Sequence, residues 1–196
     1  MKLLKKQPIA LLITLLIVFV ATFFGVNRSL GAEIRQAEDQ FYSGVFDPAQ
    51  NRVLSSIFGQ LEQRATASLR ILSIGEHSHP NDAALHGVGA DLREARRMMI
   101  ELLTSGSPQA LFQADQDLQL AVERYYAVLH PLIQGAEGED LEALESAYNT
   151  MENAARVITQ SGYNEAIREF HRTVLGAFPT NVLMNFVFVS PPELFA

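Results

Sequence analysis

The sequence predicts an all-α protein: an N-terminal single transmembrane helix, an antiparallel bundle of about four helices, and a short C-terminal arm. Three observations lead there. Residues 9–26 form an uncharged apolar run, IALLITLLIVFVATFFGV. Beyond it, apolar residues recur at steps of three and four, the period of a helix with one face toward a core. Only residues 182–189, VLMNFVFV, have strand-like composition, and no second such stretch exists to pair with them. The expected divisions are a basic tail (1–8), an anchor (9–26), a helical bundle (27–178) and an arm (179–196).

The anchor comes first. At standard rise residues 9–26 reach roughly 27 Å, close to the hydrocarbon thickness of a bilayer. Pro8 stands where a first helical turn tolerates proline. A cleaved signal peptide has a shorter apolar core ending in a small-x-small site. Here Phe23-Phe24 occupies that place, so the run reads as a retained anchor. Lys2, Lys5 and Lys6 precede it, and Arg28 and Arg35 follow, offset by Glu33 and Asp39. The positive-inside rule then leaves the N-terminus in the cytoplasm and the bundle outside.

Charge narrows the partners. All lysines lie in the first six residues, so removing those three from the formal −7 leaves −10 for the rest. A domain that acidic repels nucleic acid and anionic headgroups. The partners expected are the bilayer, through residues 9–26, and an unidentified membrane or envelope protein. A second copy of the chain is a further candidate. Cysteine is absent, which excludes disulfides and thiolate chemistry.

The bundle helices follow in order. Leu30, Ile34, Ala37 and Phe41 continue the helix out of the anchor until Gly44 to Pro48 breaks it. Val53, Ile57, Leu61, Ala65, Leu69 and Leu72 form a second stripe, expected to end at Gly75. A third helix spans about Asp82 to Leu103, with Val88, Leu92, Ala95, Met99 and Leu102 inward. Ser105-Gly106-Ser107-Pro108 punctuates the chain, and Leu111 to Leu129 make a fourth stripe that is expected to stop at Pro131. After a loop at 134–139, apolar positions from Leu141 through Phe170 to Val174 predict one helix of about 36 residues, ~55 Å long. Gly162 marks a bend or a close crossing within it.

Three constellations could carry chemistry. His77, His79 and His86, with Glu76 and Asp82, combine imidazole and carboxylate donors that zinc or nickel accept. The plainer alternative is a polar interhelical loop in which Asn81 or Asp82 caps the next helix. Asp115, Asp117 and Glu123 offer carboxylates, but residues two apart on a helix do not face each other, and a solvated face is expected. Asn164, Arg168 and His171 share one helix side, either as a recognition strip or as packing contacts. In the second case Arg168 pairs with Glu165 or Glu145, and Asn164 bonds a neighbouring backbone. No nucleophile elbow, phosphate loop or dinucleotide fingerprint is present. No catalytic residue and no cofactor is expected.

Residues 161–181 read SGYNEAIREFHRTVLGAFPTN. Tyr163, Asn164, Ala166, Ile167, Arg168, Phe170, Val174, Phe178, Pro179, Thr180 and Asn181 resemble the C-terminal signature of the LemA family of bacterial membrane-anchored helical proteins. His171 departs from the asparagine usual there. The segment LQLAVERY at 118–125 is similar to the family's middle helix, while the first bundle helix lacks the family's tryptophan and Pro-Asn element. The resemblance implies an anchored helical bundle in the bacterial cell envelope, with coiled-coil-like packing. It points to Tyr163, Asn164, Arg168, His171, Phe178, Pro179 and Asn181 as positions of interaction. The function expected is a scaffold or partner-binding protein. The alternative is a metal-dependent or hydrolytic enzyme using the His77–His79–His86 region.

Overall fold

The computed structural model describes residues 7–134, 139–178, 180–184 and 190–196 of the chain. Lys2, Lys5 and Lys6, most of the loop at 134–139, Pro179 and residues 185–189 of the apolar arm lie outside the described residues. The described chain is all-helical apart from one hairpin of two-residue strands. Contacts divide it into two units. Residues up to Glu38 and Glu169–Pro192 form one, and Asp39–Arg168 with Glu193–Ala196 form the other.

In the first unit, helix α1 (Gln7–Ser43) starts in the apolar run and continues unbroken into the second unit. It is long and apolar enough to cross a membrane: its apolar window has a mean hydropathy of 2.1 and is 0% buried. Leu11, Leu15, Phe19 and Phe24 are all exposed. Farther along, Leu30, Ile34 and Ala37 are buried, at the predicted steps of four and three. The Glu169–Pro192 part contains a π-helical turn at His171–Leu175, where Gly176 N–H donates to the His171 carbonyl at 2.8 Å, and a short helix at Thr180–Leu183.

The second unit opens with a correction, since a chain without any sheet was expected. Gly44, at φ +87°, ends α1, and strands β1 (Phe46–Asp47) and β2 (Arg52–Val53) then pair antiparallel. The Asp47 carboxylate accepts from the backbone N–H of Ala49 and Gln50, and Asn51 takes a left-handed φ of 48°. This turn chemistry closes the hairpin. Val53 consequently stands exposed on β2 and does not head the second helical stripe.

Helix α2 (Ile57–Ser78) begins after Ser56, whose hydroxyl accepts from Gly59 N–H at 3.1 Å. It runs through Gly75, where a stop was expected. Gly75 is buried, and the Tyr125 hydroxyl fills the space that a Cβ would need. The glycine permits a close helix approach, with Tyr125 O–H donating to the Leu72 carbonyl at 3.2 Å. Helix α3 (Ala83–Ser105) is capped by Asp82, as one reading of that loop anticipated, through 2.8 Å from Leu85 N–H. Helix α4 (Pro108–Ile133) starts with a Ser107 cap and passes Pro131 instead of ending there. Pro131 is exposed in the last turn, where the missing N–H removes one bond near an end that frays anyway.

The long final helix is also divided. Helix α5 (Glu139–Thr159) and helix α6 (Tyr163–Phe170) are separated by Gly162 at φ +72°. A left-handed glycine ends a helix at little steric cost, and apolar spacing that continues past it hides the break. Phe170 is half-buried, while Tyr163 and Ile167 are fully buried. Within this unit α2 packs chiefly on α5, and α3 on α4, with α2 also meeting α3. Leu61, Ile71, Leu92, Leu118, Val122, Leu144 and Met151 have no exposed surface in that core. Full burial of each such side chain contributes about 1.5–3 kcal/mol.

Candidate functional site

The most buried charge of the second unit is Arg64. Its place on α2, three residues after Leu61 and four before Ser68, puts a guanidinium on the apolar face. Every nitrogen of that group is engaged. Nε donates to Asp115 Oδ1 at 2.6 Å, Nη1 to the Met151 carbonyl at 3.1 Å, and Nη2 to Gln119 Oε1 at 2.7 Å. Gln119 Nε2 extends the network to Glu123 at 2.7 Å and Glu152 at 3.0 Å. Three helices, α2, α4 and α5, are thereby cross-linked through polar atoms. Burial pushes the Asp115 carboxyl above its usual range, and the Arg64 charge pulls part of that shift back.

Asp115 was expected on a solvated face, yet it is buried, and this corrects the reading of the carboxylate group. Asp117 and Glu123 are exposed, as expected of that face. The signal for Asp115 was available: it follows buried Ala114 and precedes buried Leu118 by three, hence the core face. The same reasoning finds Arg64. With each Arg64 nitrogen bonded to a different helix or side chain, the cluster acts as a packing lock.

A cavity of about 380 Å³ lies beside this cluster, lined by Arg64, Asp115, Gln116, Gln119, Thr159, Ser161, Asn164, Arg168 and Phe195 among others. Two signature positions thus reach it. Asn164 Nδ2 donates to the Phe195 carbonyl and its Oδ1 accepts from Phe195 N–H, both at 2.8 Å. That matches the expectation of a backbone partner for Asn164. Tyr163 is buried, and its hydroxyl donates to the Glu193 carbonyl at 2.8 Å. Arg168 is exposed, 3.7 Å from Glu165, one of its two expected partners. The Phe195 ring is buried at 5.9 Å from Phe41 and 5.3 Å from Phe112. This part of the expected arm is therefore core.

In the other unit, His171 is half-buried and its Nε2 donates to the Pro192 carbonyl at 2.9 Å. Phe178 is 83% exposed, and Asn181 is exposed with its backbone N–H donating to the Ala177 carbonyl. Pro179 lies outside the described residues.

The histidine region has different chemistry. His77 is exposed in the last turn of α2. His86 Nε2 donates to the Pro80 carbonyl at 2.7 Å. The Ser78 hydroxyl already donates to the Ile74 carbonyl, so His79 Nδ1 is the donor toward it at 3.1 Å. Among the described residues, no three His, Asp or Glu side chains converge as a metal-ligand set. Glu76, His79, His86, Arg93 and Tyr125 border a cavity of about 260 Å³. Burial and the nearby Glu76 charge raise the Tyr125 phenol to about 12, against a smaller lowering by Arg93. The chain matches no family model, no curated protein and no solved structure.

Proposed function

We propose that this chain is a single-pass membrane protein of LemA-like type, whose helices form an antiparallel bundle that holds a partner at the membrane and does not turn over a substrate. The observation that carries the reading is α1. One unbroken helix presents an uncovered apolar segment first and a buried stripe, Leu30, Ile34 and Ala37, farther on. Exposed aliphatic and aromatic side chains around a whole helix gain their solvent in hydrocarbon, where the helix also satisfies its own backbone. With no break between the two segments, the anchor is a stiff stalk.

Lys2, Lys5 and Lys6 before the span favour a cytoplasmic N-terminus and a bundle outside. The LemA kinship and the bacterial envelope location rest on the signature residues from Tyr163 to Asn181. The acidic surface favours an envelope protein as partner over nucleic acid. Catalysis at His77, His79 and His86 gains no support from their local hydrogen bonding.

Two measurements test the reading. After expression in a bacterium, the intact chain is expected to remain in membranes through an alkaline wash, with its bundle digested by protease added outside. A soluble product with a new N-terminus near residue 32 overturns the anchor. Photo-crosslinking from surface positions of α3 and α4 is expected to give one reproducible envelope adduct, identified by mass spectrometry. Adducts to lipid alone overturn the partner assignment.

A further inference from the structure

We propose that the groove formed by Phe41, Phe112, Tyr163 and Asn164 is a recognition site for an extended peptide with an aromatic anchor, and that Glu193–Ala196 is its resident, displaceable occupant. The segment has neither helix nor strand of its own. Side chains of the groove read its backbone instead. Tyr163 takes the carbonyl of Glu193, and Asn164 takes both the N–H and the carbonyl of Phe195. Carbonyls two residues apart thus face one wall, the period of an extended chain. A primary amide that pairs with both polar groups of one residue mimics the edge of a neighbouring strand, and β-type peptide recognition uses the same main-chain pairing.

The side chains divide as in a bound peptide. Phe195 is 5% exposed between the Phe41 and Phe112 rings, whereas Glu193 and Ala196 are exposed. Main-chain bonds supply affinity irrespective of sequence, and the aromatic pocket selects one residue. Open space adjoins the seated segment, since Phe112, Asn164 and Phe195 also border the 380 Å³ cavity, with Gln116, Thr159 and Arg168 in its lining. Leu194, next to Phe195, is half-buried, so the ligand class is an extended peptide with Phe at the anchor and small or aliphatic residues beside it. Nothing in this chemistry depends on a membrane.

The probe is a fluorescent peptide of residues 190–196, SPPELFA, titrated by anisotropy into the full chain in detergent micelles. In the unaltered chain the tethered segment competes at about millimolar effective concentration, so Phe195→Ala is expected to bind the probe about tenfold or more tightly. Adding Asn164→Ala to Phe195→Ala is expected to lose about tenfold or more, as two hydrogen bonds go. A probe carrying Ala in place of Phe195 is expected not to saturate. A Phe195→Ala chain that keeps its helicity yet shows no saturable binding at millimolar probe overturns the proposal. If Phe195→Ala does not fold, amide exchange at Phe195 of the unaltered chain decides. Faster exchange with millimolar peptide supports displacement, and an unchanged rate makes the segment fixed core and overturns the site.

Discussion

The turn around His77, His79 and His86 and the cluster around Arg64 and Asp115 invert what their sequences advertise. The first concentrates imidazole and carboxylate within eleven residues, yet its bonds are mostly short-range: His86 to Pro80, His79 to Ser78 and Asp82 to its own helix start, with only exposed Glu76 reaching another helix, at Arg93. The second consists of ordinary residues 51 positions apart that meet in the core at 2.6 Å. Polar residues close in sequence can satisfy one another locally and stay near water. A charge placed on an apolar face has no such choice and must find a distant partner as the helices pack. Long-range polar order therefore tracks where a charge sits relative to the hydrophobic stripe.

The largest effect expected from this contrast is at Asp115. Asp115→Ala strands the Arg64 guanidinium in the core and is expected to destabilise the chain by about 3–5 kcal/mol in chemical denaturation. Replacing both residues by apolar ones, Arg64→Met with Asp115→Leu, is expected to recover most of that loss, because no buried charge then remains unpaired. A double replacement as unstable as Asp115→Ala would show that the network is needed for more than charge compensation. The pH dependence has a definite sign. Asp115 binds its proton more tightly folded than unfolded, so its contribution grows as pH falls through the window above the ordinary carboxylate value. Exposed Glu94, held low by its hydrogen bond from Arg97, works in the opposite direction.

Tyr125 comes next, because it lies under the histidine turn but bonds across helices. Tyr125→Phe removes the bond to Leu72 and is expected to cost about 1 kcal/mol. It also sharpens the comparison at high pH. The phenol is raised from 10 to about 12 in the folded chain, so its stabilisation is complete below pH 10 and is lost as pH rises toward 12. Tyr125→Phe is expected to flatten that alkaline limb, and denaturation midpoints at several pH values measure it. An unchanged limb would assign the loss to other groups.

The smallest effect is expected at His86. His86→Ala removes only an exposed local bond and is expected to shift stability by no more than about 0.5 kcal/mol. A shift of several degrees in Tm on adding zinc, lost in His86→Ala, would break the comparison and make the turn a metal site.

Much of the fold was legible one helix at a time. The cap at Asp82, the break before Pro108 and the buried stripes through Leu61, Leu92, Leu118 and Met151 follow from local chemistry. So does the apolar run that makes α1 long enough for a bilayer. Glycine and proline were read less well, because each permits several outcomes. Gly75 and Gly162 look alike in sequence, yet one lies inside a helix beneath a tyrosine and the other ends a helix in left-handed geometry. Which occurs depends on what the rest of the chain brings against them.

Among the candidate site residues, the backbone partner of Asn164 and the ion pair of Arg168 were foreseeable as types of contact. That the Asn164 partner would be Phe195, 31 residues on, was not. Sequence alone determined the helical class, most of the apolar faces and the net acidity, since these depend on composition and on residues within a few turns of each other. The tertiary structure decided the Arg64–Asp115 pairing, the close approach at Gly75 and the seating of Phe195. Those arise only when faces distant in sequence exclude water together, and a one-dimensional period carries no information about which faces meet.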